Sequence, residues 1–376
     1  MWRRLFDTFR NWDGSLFVIT LLLLSIGLAE LYSSSLSRPE VSDLFTRQLV
    51  GFFLGLVALL VAATLDYRWY RSWSRLIYLG SLVLLVLVLF FGKTINGTTG
   101  WFRFGTVGFQ PVEIVKLLWI IVLSSYLAHV GPPLTWGKTI IASLLTLPVV
   151  GLVMAQPDFG SAFLLLVILG ALLVVIPKPR QWWLVMSGVM VVGLLIALSL
   201  LHGYQLERLR VFLDPQSDPL GSGYNVTQSV VAAGSGRWWG RGLGLGTQSQ
   251  LQFLPEQHTD FIFASLAEEL GLVGSLVVLG LWVWFFLRIL RLIRRLRDDF
   301  AVLLAVGIFS LFGVQVVLNI GMNIGLLPVV GLTLPFMSFG SSSLVVSLAA
   351  VGVLQNLARQ YGHQAPLPLI VKHGQA

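Results

Sequence analysis

Apolar runs of about 20 residues, the length that crosses roughly 30 Å of hydrocarbon as a helix, recur from one end of this chain to the other. They leave no stretch long enough for a large soluble domain. In lipid every backbone donor and acceptor must be met inside the protein, so runs of this length are read as helices. The spans fall at 14–34, 47–65, 75–92, 112–131, 138–155, 160–177, 183–201, 260–287, 301–324 and 338–358. The expectation is an all-α integral membrane protein, a single polytopic domain over 1–376. It has about ten transmembrane helices and one long exterior loop, 202–259, between helices seven and eight. Composition agrees, with 56% hydrophobic and 11% charged residues.

An even number of spans places both termini on one side, and the basic residues choose it, because short cytoplasmic loops are enriched in Lys and Arg. Arg68, Arg71 and Arg75, then Lys178 and Arg180, then Arg288, Arg291, Arg294, Arg295 and Arg297 fall in loops on the side of the termini. Both termini are therefore expected in the cytoplasm, with 93–111 and 202–259 outside. The net charge of +8 sits in short clusters between apolar runs, which fits orientation better than nucleic-acid binding. The absence of cysteine excludes disulfides, thiolate metal sites and cysteine nucleophiles. The first run follows Arg3, Arg4 and Arg10 as a signal peptide would. It is too long for one and lacks a small-residue cleavage site, so it is expected to stay as an anchor.

Ionisable groups at the ends of spans are costly and therefore candidates for function. Glu113 and Lys116, three residues apart, share a helical face and read either as a structural ion pair or as a contact for a substrate phosphate. Asp158, in the Pro-containing turn 156–160, reads first as a helix cap. Asp260 opens the eighth span, where a cap is again the simpler account, but Glu256 and His258 crowd beside it, a density that capping does not require. Glu268 and Glu269 lie deeper in the same span, cannot both face lipid, and must point inward. Arg208 and Arg210 stand outside, against the charge bias. They read either as surface partners of Glu207 or as a guanidinium fork for a pyrophosphate.

Several segments resemble the SEDS family (shape, elongation, division and sporulation). They are Gln110-Pro111-Val112-Glu113, Gln156-Pro157-Asp158-Phe159-Gly160, the run DPQSDPLGSGYNVTQS at 214–229, GLGTQSQLQFLPEQHTDFIFASLAEELG at 244–271 and NIGMNIGLLPVVGLTLPFMSFG at 319–340. Thr247-Gln248-Ser249-Gln250 and the Leu-Leu-Pro-Val-Val-Gly run look more like the RodA branch than the FtsW branch. Val112, Gly100 and Ser341 depart from the family pattern, which puts any contacts made there in doubt.

The resemblance implies a peptidoglycan glycosyltransferase that polymerises lipid II during cell elongation and shape maintenance at the bacterial cytoplasmic membrane. Asp260 falls on the family's essential aspartate and is the expected general base. Arg210 and Lys116 are the cations expected at the leaving pyrophosphate. Trp101, Gln110, Glu113, Arg208, Gln248, Glu256, His258 and Ser338 are the remaining expected substrate contacts. No cluster has firm metal-ligand spacing, so no metal ligand is assigned, while a divalent cation beside Asp260 stays open. The partner implied is a class B penicillin-binding protein, a transpeptidase. A lipid II flippase and a non-catalytic scaffold are the competing readings.

Overall fold

The computed structural model describes residues 12–37, 39–95, 97–104, 107–188, 210–218, 221–250, 253–254 and 256–361. In chain order the apolar runs become α1 (Gly14–Ser37) and α2 (Pro39–Thr64), then, after a short α3 (Tyr67–Ser72), α4 (Ser74–Phe91). Next come α5 (Pro111–Val130), α6 (Trp136–Met154) and the shorter α7 (Phe159–Val175). A helix over Ser222–Ser235, α8, lies in the long loop, followed by α9 (Ile262–Ile293), α10 (Asp299–Asn323) and α11 (Ser341–Tyr361). Eight of these helices are long and apolar enough to cross a membrane, and α7 is a shorter apolar helix. The seventh expected span, 183–201, lies mostly outside the described residues, which are helical over 180–188.

Burial separates the middle of the bundle from its rim. The apolar windows of α5, α10 and α11 are 78%, 67% and 83% buried, against 17% for α4 and 22% for α2. Those two helices turn most of their apolar surface outward, as helices facing lipid do. Within the bundle, Phe285, Phe312 and Phe336 meet with ring centroids 5.3–5.7 Å apart, and Trp282 stacks on Phe336 at 5.7 Å. This aromatic knot seats the turn that precedes α11.

α2 and α11 run side by side at backbone distance. A Cβ on Gly352 would fall 2.3 Å from the carbonyl oxygen of Leu59, so only glycine permits this approach, a common device between membrane helices. The contact is fastened at one end by Gln48, which donates to Ser338 O (3.1 Å) and accepts from Gly340 N (3.0 Å). At the other end Asn356 donates to Ala63 O (2.9 Å), and the hydroxyls of Tyr67 and Tyr361 lie 2.6 Å apart.

Two features differ from the sequence expectation. The chain is not purely helical: β1 (Lys93–Ile95), β2 (Thr98–Phe104) and β3 (Val107–Phe109) form an antiparallel sheet in that order, with Lys93 opposite Trp101 and Phe102 opposite Phe109. Its strands are too short and too mixed in polarity to register beside the apolar runs. Nor is the eighth span one straight helix. α9 breaks at Gly271 (φ 68°, ψ −167°), and residues 237–242 are stitched into the gap. The carbonyls of Glu268 and Glu269 accept from Arg241 N (3.0 Å) and Gly242 N (2.9 Å), while Leu272 N and Val273 N donate to Arg237 O (2.8 Å) and Trp238 O (3.1 Å). These four backbone groups beside the break are thus paired, as burial demands. A Cβ on Gly240 would sit 2.1 Å from Glu269 O.

Candidate active site

Asp260 lies just ahead of α9, partly buried, in a tight turn whose carbonyl at Glu256 accepts the amides of Thr259 (3.1 Å), Asp260 (3.1 Å) and Phe261 (3.3 Å). The cap position of α9 is Phe261, with no side-chain cap bond. Asn323 of α10 does the capping instead, its Oδ1 accepting from Ala264 N at 2.9 Å. A cap is therefore not what Asp260 supplies at that amide.

The backbone of Asp260 is held unusually firmly. Its carbonyl accepts from Asn319 Nδ2 (3.0 Å) and from Asn323 Nδ2 (2.8 Å). These two asparagines, one helical turn apart and fully buried, also reach Leu332 O and Asn319 O. The carbonyl of Asn323 in turn accepts from the Ser229 hydroxyl of α8 at 2.8 Å. On its other side the turn is tied to the segment before α11: Ser338 donates its hydroxyl to Thr259 O (2.6 Å) and accepts from Leu334 N (2.8 Å), and Phe339 N donates to His258 O (2.7 Å). Gln48 fixes that segment from α2. The carboxylate itself faces Gly331, whose missing Cβ would lie 3.7 Å from Oδ2.

Several expected residues converge here. Glu256 accepts from the Thr259 hydroxyl (3.0 Å) and His258 Nε2 lies 3.3 Å from Gln257 Nε2. Ser338 is present but buried, with its hydroxyl committed to backbone atoms, which makes it a holder of the turn in this state. Gln110 and Trp101 reach the same end through the sheet. Gln110 N donates to Ser342 Oγ (3.3 Å), whose hydroxyl meets Gly108 O (3.3 Å), and the Trp101 ring packs over Gly108. Directly after Gln110, Glu113 and Lys116 form a buried ion pair at 2.7 Å on α5.

Other expected residues stand apart. Arg210 is exposed, in the short helical stretch 210–213, and Arg208 lies outside the described residues. Gln248 belongs to a second polar cluster: its amide donates to Glu268 Oε1 (2.8 Å), joined there by the Thr247 hydroxyl (3.3 Å). Ser33 of α1 donates to Glu269 (3.5 Å), and Ser265 donates to Glu30 (2.5 Å). Glu268 and Glu269 are fully buried, as their inward placement required. Asp158 caps α7 through Ser161 N (3.0 Å), also as expected.

Gln48, Asn319 and Asn323 were not singled out from the sequence. The available signal was plain, since uncharged amides inside apolar helices need partners too.

Comparison with known proteins places this geometry. A sequence profile of the FtsW, RodA and SpoVE group, described as a cell cycle protein, matches residues 14–363. The peptidoglycan glycosyltransferase MrdB of Escherichia coli is 39% identical over 349 residues, 92% of this chain and 93% of that protein. Among solved structures, a chain from a study of how a peptidoglycan synthase complex coordinates polymerization and crosslinking superposes with a TM-score of 0.80 at 32% identity, covering 94% of this chain and 99% of that one. The rod shape determining protein RodA of Thermus thermophilus gives 0.69 at 30% identity, covering 94% and 98%. With nearly its whole length matched in sequence and in fold, the chain belongs to the FtsW, RodA and SpoVE family of cell cycle proteins.

Proposed function

We propose that this protein is a peptidoglycan glycosyltransferase that polymerises lipid II for cell elongation, on the RodA side of its family. The observation that carries the reading is the placement of Asp260 in a membrane-embedded bundle, on a turn braced by α2, α10 and the segment before α11. Ten spans, both termini in the cytoplasm and Asp260 at the exterior face complete the topology, supported by the distribution of arginines in the loops.

In this reaction the 4-hydroxyl oxygen of the acceptor sugar attacks C1 of the donor sugar, the bond from C1 to the pyrophosphate oxygen breaks, and the configuration inverts. Asp260 takes the hydroxyl proton as general base. The electron pair leaves on undecaprenyl pyrophosphate, which needs its charge neutralised rather than a proton. Arg210 and Lys116 are the cations assigned to that charge, with Arg208 beside them. For Lys116 the reading requires that substrate phosphate compete with Glu113 for the ammonium group. A divalent cation would be held by the Asp260 carboxylate, since such ions commonly take one carboxylate and complete their shell from phosphate and water, and it would supply further positive charge for the leaving group. Trp101, Gln110, Gln248, Glu256 and His258 are the assigned sugar and phosphate contacts.

A class B penicillin-binding protein is the proposed partner. The support is likeness to a chain studied within a peptidoglycan synthase complex. The test is Asp260→Ala in purified protein supplied with lipid II and that partner. Loss of glycan chains with a folded bundle is expected. Undiminished polymer overturns the assignment, and transbilayer movement of labelled lipid II without polymer would favour a flippase.

A further inference from the structure

Beyond its break at Gly271, α9 runs on from Leu272 to Ile293, about 33 Å at roughly 1.5 Å per residue, which matches the roughly 30 Å of hydrocarbon it has to cross. Its far end is fixed at one membrane surface by Arg288, ion-paired with Asp13 at 2.6 Å and followed by Arg291, Arg294 and Arg295. Counting back about 20 residues from Arg288 brings the opposite boundary to residues near 268. The break at Gly271, with the segment stitched into it, therefore lies at the membrane boundary on the Asp260 side.

The composition of that segment matches this depth. Residues 237–245 read Arg-Trp-Trp-Gly-Arg-Gly-Leu-Gly-Leu. Trp238, Trp239, Leu243 and Leu245 are 66%, 82%, 54% and 68% exposed, and Arg237 and Arg241 are exposed beside them. Large apolar side chains left bare on a loop need a cover. The surface directly below, Leu272, Leu276 and Val277 of α9, is likewise exposed, and Arg237 and Trp238 line a cavity with Leu272 and Leu276, so the bare patch is continuous with the apolar surface of the crossing helix. Tryptophan and arginine together suit the headgroup layer, the ring lying at the boundary and the guanidinium meeting lipid phosphate.

We propose that residues 237–245 form a foot that seats in the headgroup layer of the leaflet on the Asp260 side, with phospholipid as its partner. Two of the four backbone bonds of the stitch join the foot to Glu268 and Glu269 at the lower end of the half-helix 262–270, and two join it to Leu272 and Val273 beyond the break, while Asp260 stands just beyond the upper end. The foot thereby sets the height of the carboxylate above the membrane surface. This inference needs α9 to cross the bilayer but not the proposed chemistry.

The absence of cysteine makes single-site labelling clean. Trp239→Cys, Leu243→Cys and Leu245→Cys, each in the full chain, are coupled to an environment-sensitive fluorophore in phosphatidylethanolamine and phosphatidylglycerol nanodiscs. Gln216→Cys, at an exposed position away from the foot, is the control. Probes on the foot are expected to shift their emission to the blue, to be quenched by lipids spin-labelled near the headgroup, and to resist aqueous iodide, while the control does the reverse. Three sites keep the test open if one variant fails to fold. Foot probes that behave like the control in lipid alone overturn the proposal, whether the patch stays in water or awaits a protein. The readout is independent of glycan synthesis, so its failure is distinct from failure of the proposed activity.

Discussion

Truncating Asn323 to alanine tests whether the grip on Asp260 matters to function. The change removes the donor to Asp260 O (2.8 Å), the donor to Asn319 O (2.7 Å) and the acceptor for Ala264 N (2.9 Å). Asp260 O keeps Asn319 at 3.0 Å, so its loss is partial. Ala264 is fully buried, but its amide keeps the Phe261 carbonyl at 3.1 Å, so the change loses three hydrogen bonds at about 1 kcal/mol each without stranding a donor. A destabilisation of about 2–4 kcal/mol follows, small enough for the bundle to survive. The effect on turnover should be of similar size, because a misplacement of about 1 Å at a reacting group costs up to about 100-fold in rate, about 2.7 kcal/mol, and it should show in protein that is still folded. Thermal unfolding of the purified variant measures the first quantity, and glycan chains formed from lipid II with the transpeptidase partner measure the second. Asn323→Asp, which keeps the acceptor for Ala264 N and loses the donors, separates capping from the grip on Asp260. Unchanged polymer from folded Asn323→Ala would refute the view that the Asn319 and Asn323 pair sets the position of the carboxylate.

Lys116→Met leaves Glu113 buried without its 2.7 Å partner and should cost about 3–5 kcal/mol in thermal unfolding. Glu113→Gln with Lys116→Met should recover most of that, and polymer that stays absent in the recovered protein would show that Lys116 serves the substrate. Gly240→Ala drives a Cβ to 2.1 Å from Glu269 O at a φ of 79° and should disrupt the stitch, read as accelerated amide exchange at Leu272 and Val273. Burial pushes the Tyr70 phenol up to about 12 from 10.0, and its neutral hydroxyl donates to Ala62 O at 3.3 Å. Because the unfolded phenol ionises first, that stability is whole below pH 10 and is lost as pH rises from 10 towards about 12. The stability gap between native protein and Tyr70→Phe should therefore narrow across that range in alkaline unfolding curves.

The crossing helices were legible because lipid imposes one rule on them: Ser74–Phe91 and Pro111–Val130 fall within a residue of the spans at 75–92 and 112–131. The break in α9 was not legible. Gly271 sits between apolar runs that read as continuous, and its partner segment lies about 30 residues earlier, an arrangement that no local pattern encodes. The sheet over 93–109 was lost for a related reason, since its strands are brief and the window that finds a span smooths them away. At the site, Asp260, Glu256 and His258 were visible as charges crowded at a helix entrance. The grip on Asp260 was invisible because Asn319, Asn323 and Gln48 carry no charge, and their role lies in which distant carbonyls they meet. Ser338 was found for a substrate contact, while the structure uses its hydroxyl on Thr259 O and Leu334 N.

Because α2 and α11 touch backbone to backbone at Gly352 and are fastened at both ends, neither can slide along the other. The pair is therefore expected to move as one piece, with the Tyr67 end and the Gln48 end displaced together. When a long lipid enters or leaves, the place to look for movement is then a helix without such fastening, and α4, whose apolar window is only 17% buried, is the first candidate.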